Sequence, residues 1–225
     1  MRLAILTCIL GEFDTPVDPV EQQIPEGFDI DFHRWTDKDF PPIAGLTPRL
    51  QYRIPKYFGW EMFPDFDYYI WLDGSVTFLR TDCVKWWLDQ LGNQDIGLFA
   101  HPQRSSIKEE VQYIDDRLNR RVGKKPGQDY IIERYGGGLH EEMLIKVLDD
   151  KYYDDSKLYA STAFIYRNSP RVQAMMHDWW FYQSRYYTCD QVHLPWVLDN
   201  WGCKVKVLDE PIYKSGYLSL VSHHK

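Results

Sequence analysis

The stretch Tyr68-Tyr69-Ile70-Trp71-Leu72-Asp73-Gly74-Ser75 is an apolar, aromatic and β-branched run that ends abruptly in a carboxylate, a glycine and a hydroxyl. Pro64, Asp65 and Asp67 mark its start. Such a run reads as a buried strand. A strand that stops at Asp-Gly-Ser delivers one charged oxygen ligand to the edge of a sheet, where open α/β folds bind their ligands. Asp73 is therefore the first candidate for the functional site.

Upstream, Arg2 to Leu10 is a continuous apolar run followed at once by Gly11. It predicts the first parallel strand of an α/β domain. Gly11-Glu12-Phe13-Asp14 is the loop after it; in a nucleotide-binding sheet this loop lies against base and ribose, and glycine allows close backbone approach. A plain strand-to-loop turn is the alternative. With no GxGxxG and no Walker motif, a dinucleotide site and a P-loop ATP site are not expected. Phe28 to Trp35 alternates apolar and polar residues and predicts a second strand. Asp37 beyond it suits a ribose hydroxyl or a base, or simply a turn. Thr47-Pro48 is a helix start, with Thr47 as cap. That helix carries Arg49, Arg53 and Lys56 close to one face. The row suits a diphosphate, or merely a solvated face, and Pro55 within it predicts a kink or break.

Downstream, Val76 to Leu79 is a short strand. Thr81 caps a helix to about Leu91 that Gly92 ends. Asp95 to Ala100 is another buried strand. His101 and Arg104 follow in a strand-to-helix loop, and Ser106 with Glu109 forms a capping box. Glu110, beside it, is then free for substrate. Arg117 to Lys125 is locally basic, and Gly136-Gly137-Gly138 is a joint or close-approach loop. His140-Glu141-Glu142 lacks the second histidine of a zincin. Asp149-Asp150 and Asp154-Asp155 predict an exposed acidic loop. Lys157 to Arg167 predicts a strand whose small residues Ala160, Ser161 and Thr162 allow close approach. Ser169-Pro170 opens a helix with Trp179 and Trp180 at core-like spacings. Thr188 to Gln191 predicts a second capping box, with Asp190 and Gln191 in the first turn of a helix ending near Gly202, where the dipole favours a carboxylate. Lys204 to Leu208 is a last strand. Strands and helices alternate throughout, which predicts one α/β domain over residues 1–225 with a mainly parallel central sheet flanked by helices. The tail, residues 211–225, is expected to fold back over the site.

The 225 residues suffice for a sizeable core without disulfide or metal. Aromatics reach 16%, which suits a Trp-rich core and also ring-lined sites that bind sugars. The formal net charge of −7 argues against broad nucleic-acid binding. Cys8, Cys83, Cys189 and Cys203 show no CxxC spacing, and no apolar run nears 18 residues. These features predict reduced thiols, no integral membrane association and a cytoplasmic protein.

With these elements placed, the sequence resembles nucleotide-diphospho-sugar transferases of the GT-A (Rossmann-like) fold. More narrowly, it resembles the glycosyltransferase-like family of plant mucilage-related proteins and bacterial relatives. The matching segments are Thr7 to Asp14, Tyr69 to Ser75, His101 to Glu110, Leu158 to Asn168 with Trp179-Trp180, and Cys189-Asp190-Gln191. The resemblance implies a hexosyl- or pentosyltransferase that moves a sugar from a nucleotide-diphosphate donor, UDP-linked, to an acceptor that is a glycan, a lipid-linked sugar, a protein or a modified nucleobase. It places the donor on Thr7, Gly11, Asp14, Arg49, Arg53, Lys56, Asp73, Gly74, Ser75, Arg104 and Gln191. Asp73 takes the position of the first acid of a DxD motif, where GT-A enzymes hold a divalent cation, Mn²⁺ or Mg²⁺, against the diphosphate. Ser75 stands where a second acid is usual, so the implied metal ligands are Asp73, Ser75 and the terminal His223 or His224. A metal-free diphosphate site built on Arg49, Arg53, Lys56 or Arg104 is the other option. Asp190 is the implied carboxylate nearest the reacting sugar, as a general base or a holder of hydroxyls, with His101 and Glu110 next. The different-class alternatives are a catalytically silent nucleotide-sugar-binding domain, for which Ser75 argues, and a metal-dependent hydrolase.

Overall fold

The computed structural model describes residues 1–11, 15–119 and 135–220. Its centre is a six-stranded sheet in the order β2-β1-β3-β6-β5-β7. The strands are β1 (Arg2–Ile9), β2 (Asp29–Thr36), β3 (Tyr68–Leu72), β5 (Ile96–Ala100), β6 (Tyr159–Arg167) and β7 (Val205–Val207). β1 pairs in parallel with β2 and β3, and β5 in parallel with β7. β6 runs antiparallel to both β3 and β5, so the sheet is mainly parallel with one reversed strand inside it. A two-stranded ribbon joins β4 (Val76–Phe78) to β8 (Leu218–Leu220).

The four inner strands β1, β3, β6 and β5 are buried on both faces, as continuous apolar strands require, while the edge strands β2 and β7 stay partly exposed. In β3, Tyr69 and Trp71 face one core while Tyr68, Ile70 and Leu72 face the other. The first core holds α2 (Arg53–Met62), α4 (Ile107–Leu118), α5 (His140–Leu148), α6 (Pro170–Tyr186) and α7 (Leu194–Asn200). The second holds α3 (Cys83–Leu91) and the β4–β8 ribbon. Most aromatics serve these cores; Trp71, Trp87 and Trp179 are fully buried. Tyr57 of α2 meets Trp179 of α6 edge-on at 4.6 Å between ring centroids. Gly59 lets α2 lie directly on β1: a Cβ there would stand 2.4 Å from Leu6 Cδ1.

Thr47 caps the short helix α1 (Pro48–Gln51), and its hydroxyl accepts from the Leu50 amide. The chain breaks between α1 and α2, so Pro55 falls in the first turn of α2, where its missing N–H costs no helical bond. Ser106 and Ser169 cap α4 and α6 as their sequences predict. Several expectations are corrected. Thr81 does not cap α3: the helix starts at Cys83 with no side-chain cap. Thr188 opens no capping box, because its hydroxyl contacts the Cys189 carbonyl and His193 Nδ1. Asp190–Val192 is a single 3₁₀ turn, separate from α7. The acidic loop is not simply solvated. Asp155 accepts from the amides of Ile107 and Lys108, capping α4 from a distance, and Asp150 accepts from Trp196 Nε1. The four cysteines are unpaired.

The last strand, β8, pairs with β4 directly after Asp73-Gly74-Ser75, so Leu220 lies opposite Val76. The tail thus returns to the end of the opening stretch as far as residue 220. His223 and His224 lie outside the described residues, as do Asp14 and most of the basic run after Arg117. No helix among the described residues is long and apolar enough to cross a membrane.

Candidate active site

Side chains alternate along a strand, so Tyr69, Trp71 and Asp73 share the face that α2 covers. The Trp71 indole N–H donates to Asp73 Oδ1 at 2.7 Å. From α2, Lys56 Nζ donates to the same oxygen at 3.1 Å and to Asp190 Oδ2 at 2.7 Å. Arg53 Nη2 reaches Asp190 Oδ1 at 3.3 Å, and its Nη1 reaches the Thr188 carbonyl at 3.3 Å. Two carboxylates far apart in the sequence, Asp73 and Asp190, are thereby joined through one buried ammonium.

The loop bearing Asp190 is held from every side. Gln183 Nε2 and Arg49 Nη2 also donate to the Thr188 carbonyl, at 2.9 and 3.4 Å. Trp179 Nε1 donates to the Asp190 carbonyl at 2.9 Å. Gly138 packs so closely that a Cβ would lie 2.6 Å from His140 Nε2 and 2.7 Å from the Tyr187 carbonyl. Within β6 the pairing jumps from Phe164 to Ala160 while β5 advances only from Leu98 to Phe99. This irregularity re-aims the intervening residues. The Thr162 carbonyl accepts from the Asp73 amide at 2.8 Å, and the Ser161 side chain hydrogen-bonds Asp190.

These contacts separate the two carboxylates electrostatically. Burial alone would raise Asp190, but Lys56 and Arg53 outweigh it and hold the group far below the usual carboxylate range. Asp73 is pushed up by burial, against the pull of Lys56, with the Asp190 charge adding to the rise. Lys56 is raised despite its burial, because both aspartates favour its charge. The shared ammonium couples the pair. The side chain of Asp73 keeps 22% of its surface exposed while that of Asp190 keeps 8%. Asp73 is the carboxylate that a ligand can reach.

A second polar chain runs from the next residue. Gln191 Nε2 donates to Glu110 Oε1 at 2.8 Å, and Arg104 Nε donates to Glu110 Oε2. Burial raises Glu110, so it is not free but is a buried link. His101 Nδ1 accepts the Arg104 amide at 3.0 Å. Burial and the Arg104 charge lower His101 to about 4, so its ring is neutral at pH 7.

The remaining candidates are spread around the carboxyl ends of β1 and β3. Thr7 and Gly74 line a narrow crevice of about 10 Å³ together with Arg34, Val17 and Pro19. Arg34 was not singled out by the sequence; its Nη1 binds Asp18 Oδ1 and its Nη2 the Val17 carbonyl, both at 2.7 Å. The segment 17–19 therefore lies as a strap over the crevice. Gly11 adopts a positive φ of 68°, and its amide donates to Asp37 Oδ2 at 2.9 Å. Ser75 lies in the turn between β3 and β4 that the Val76 amide closes onto the Asp73 carbonyl. Arg49 stacks on Tyr135, with the guanidinium carbon 3.8 Å from the ring centroid. The cation row stands beside β3 as its spacing predicts, yet Arg53 and Lys56 are turned onto protein carboxylates.

Of the implied metal ligands, Asp73 and Ser75 lie among the described residues, while His223 and His224 do not. Asp73 Oδ1 already accepts from an ammonium and an indole, and a divalent ion there would face that ammonium. Among the described residues no group of three or more His, Cys, Asp or Glu side chains converges to hold a metal.

No protein-family model matches the chain, and no curated relative matches it. Solved structures that align with most of it include the two that follow. The apo crystal structure of mouse xyloside xylosyltransferase 1 aligns at a TM-score of 0.48 and 10% identity, over 93% of this chain and 86% of that one. The galactosyltransferase LgtC, in complex with donor and acceptor sugar analogs, aligns at 0.39 and 13% identity, over 91% of this chain and 72% of that one. With both TM-scores below 0.5, neither likeness bears on what this chain does.

Proposed function

We propose that the chain is a GT-A-type glycosyltransferase that binds a nucleotide-diphosphate sugar, UDP-linked, across the carboxyl ends of β1 and β3. One observation carries this reading. The strand order turns at β1, with β2 on one side and β3 on the other, and Asp73 stands at that turning point. Open α/β sheets bind their ligands in the crevice at such a point. The resemblance of Thr7 to Asp14 and of Tyr69 to Ser75 to nucleotide-sugar transferases points the same way.

In this reading Asp73 and the Gly74-Ser75 turn meet the donor. Asp190, clamped by two cations, is a poor proton acceptor and holds the site's shape and charge instead. Lys56 and Arg53 balance the two carboxylates, so the site is close to neutral before a donor arrives. If a divalent cation takes part, the diphosphate brings it, since hard cations bind through one or two carboxylates plus substrate phosphates. The donor displaces the strap 17–19, because nucleotide sites need roughly 300–1,000 Å³.

The test is a nucleotide-sugar panel, with and without Mn²⁺ or Mg²⁺, read by thermal shift and by slow donor hydrolysis. UDP or a UDP-sugar is expected to stabilise the chain, and Asp73→Ala to abolish the response. No stabilisation and no hydrolysis with any donor sinks the proposal. The neutralised state of Asp73 and Asp190 also favours a second reading, a binding domain without turnover, which donor binding without hydrolysis in the unsubstituted chain would select.

A further inference from the structure

A sizeable cleft lies away from Asp73. About 560 Å³ opens beside β5 and β7, walled by the loop of residues 152–158 and by α7. That volume lies within the roughly 300–1,000 Å³ of small-molecule sites. Its lining includes Tyr152, Tyr153, Tyr159, Asp199 and Lys157, with Arg104 and His101 at one end.

We infer that this cleft binds a neutral saccharide. Tyr152 is 96% exposed, an unusual position for a large ring with no occupant against it. The Tyr153 hydroxyl is buried with no hydrogen-bond partner. An unmet buried hydroxyl is destabilising, and a ligand hydroxyl would relieve it. Burial raises both phenols, Tyr153 and Tyr159; next to burial Asp155 acts most on Tyr153, with Asp199 contributing as well, and Asp199 is the charge that raises Tyr159. Carboxylates accept from sugar hydroxyls, and tyrosine rings cover the apolar C–H faces of sugar rings.

The charge balance selects against an anion. Lys157 and Arg104 are offset by Asp154 and Asp199 in the same lining, and Arg104 is further matched by Glu110. A phosphate or a polyanion gains nothing there, and neither does a purely apolar ligand that leaves these groups unpaired. A neutral polyhydroxylated ring meets both requirements.

The cleft also connects to the carboxylate centre. Arg104 lines it, binds Glu110, and through Glu110 holds Gln191, the neighbour of Asp190. A saccharide at Arg104 therefore touches the far end of the network that fixes Asp190. The identification of this saccharide as the acceptor rests on the sugar-transfer reading; its binding does not.

The experiment titrates the unsubstituted chain, without nucleotide, with cellobiose, maltotriose, xylobiose, lactose and N,N′-diacetylchitobiose, followed by saturation-transfer NMR. Tyr153→Phe removes only a hydroxyl, and Asp199→Asn only a charge, so both are expected to keep the native melting profile. At least one sugar is expected to bind, with affinity reduced fivefold or more in each variant, while the thermal response to UDP is unchanged. Failure of every sugar to bind overturns the inference, as does binding that both variants leave intact, or inorganic pyrophosphate competing for the same resonances. A chain that answers UDP but no sugar loses the cleft and keeps the donor site. One that binds sugar and ignores every nucleotide keeps the cleft and loses the transferase.

Discussion

Lys56→Met is the most informative single perturbation of the carboxylate pair. The methionine fills most of the volume of the stem and removes the ammonium that lies 2.7 Å from Asp190 and 3.1 Å from Asp73. Breaking a buried ion pair from one side costs about 3–5 kcal/mol, because the orphaned charge stays desolvated. Here Asp190 retains Arg53 and Ser161, and Asp73 is partly open to water. The lower end, about 3 kcal/mol, is therefore expected. For a chain of this size each kcal/mol moves the melting temperature by roughly 2–4 °C, so the midpoint falls by about 6–12 °C. Calorimetry at pH 7 measures it. A double-mutant cycle with Asp190→Asn separates the pair from the packing: the two losses are expected to fall short of additivity by about 1–3 kcal/mol. A midpoint change under about 2 °C, or fully additive losses, refutes the shared-ammonium account.

The acid limb of stability has a defined sign. His101 and His193 titrate in the folded chain at about 4 and about 3, both lowered first by burial. The unfolded chain takes up these protons near pH 6.5, so stability falls as pH drops from about 6.5 towards 3. Asp190, depressed by Lys56 and Arg53, adds a loss that begins below about pH 4; Glu110 and Asp73, both raised by burial, offset part of the histidine loss at the pH values above that. Urea midpoints across pH 3–8 follow this, and His193→Gln flattens the slope between pH 6.5 and 4. Asp155→Ala uncaps α4 and is expected to cost about 1 kcal/mol by chemical denaturation. Gly138→Ala drives a methyl into the Tyr187 carbonyl and is expected to destabilise by about 1–3 kcal/mol in the same assay. Asp18→Ala removes one of the two Arg34 contacts to the strap and leaves the bond to the Val17 carbonyl, so UDP association measured by stopped-flow fluorescence is expected to quicken several-fold with little change in melting.

The elements that position Asp73 were legible because each carries a local signal. The runs at Arg2 to Leu10 and Tyr68 to Ser75 are long and apolar, and Thr47, Ser106 and Ser169 cap helices through contacts only three residues long. The direction of β6 was not legible, since an apolar strand reads alike both ways and its orientation is set by what it packs between. The predicted box at Thr188 failed for a related reason. Arg53, Arg49 and Gln183 converge on the Thr188 carbonyl from distant positions and hold that loop in a non-helical course. The Trp71–Asp73 bond was within reach, because residues two apart on a strand share a face. The Asp155 cap, the irregularity in β6 and the Arg34–Asp18 pair join residues with no sequence relation to one another.

The cation row of α2 shows how such distant pairing changes a chemical reading. Three cations at helical spacing beside an aspartate suggest a free diphosphate clamp. Folding spends two of them: Arg53 and Lys56 are buried, and each already faces a carboxylate. Freeing Lys56 for a ligand would strand Asp190 in a low-dielectric interior, at a cost comparable to what the new contact returns. Ligand-facing charge therefore falls to groups that can exchange partners cheaply. Arg34 is one, because its present partner, Asp18, is largely solvated and loses little on release. The outer surface of Asp73 is another. The buried quartet of Lys56, Arg53, Asp73 and Asp190 is then best understood as the rigid floor of the site, with Arg34 and its strap as the movable part.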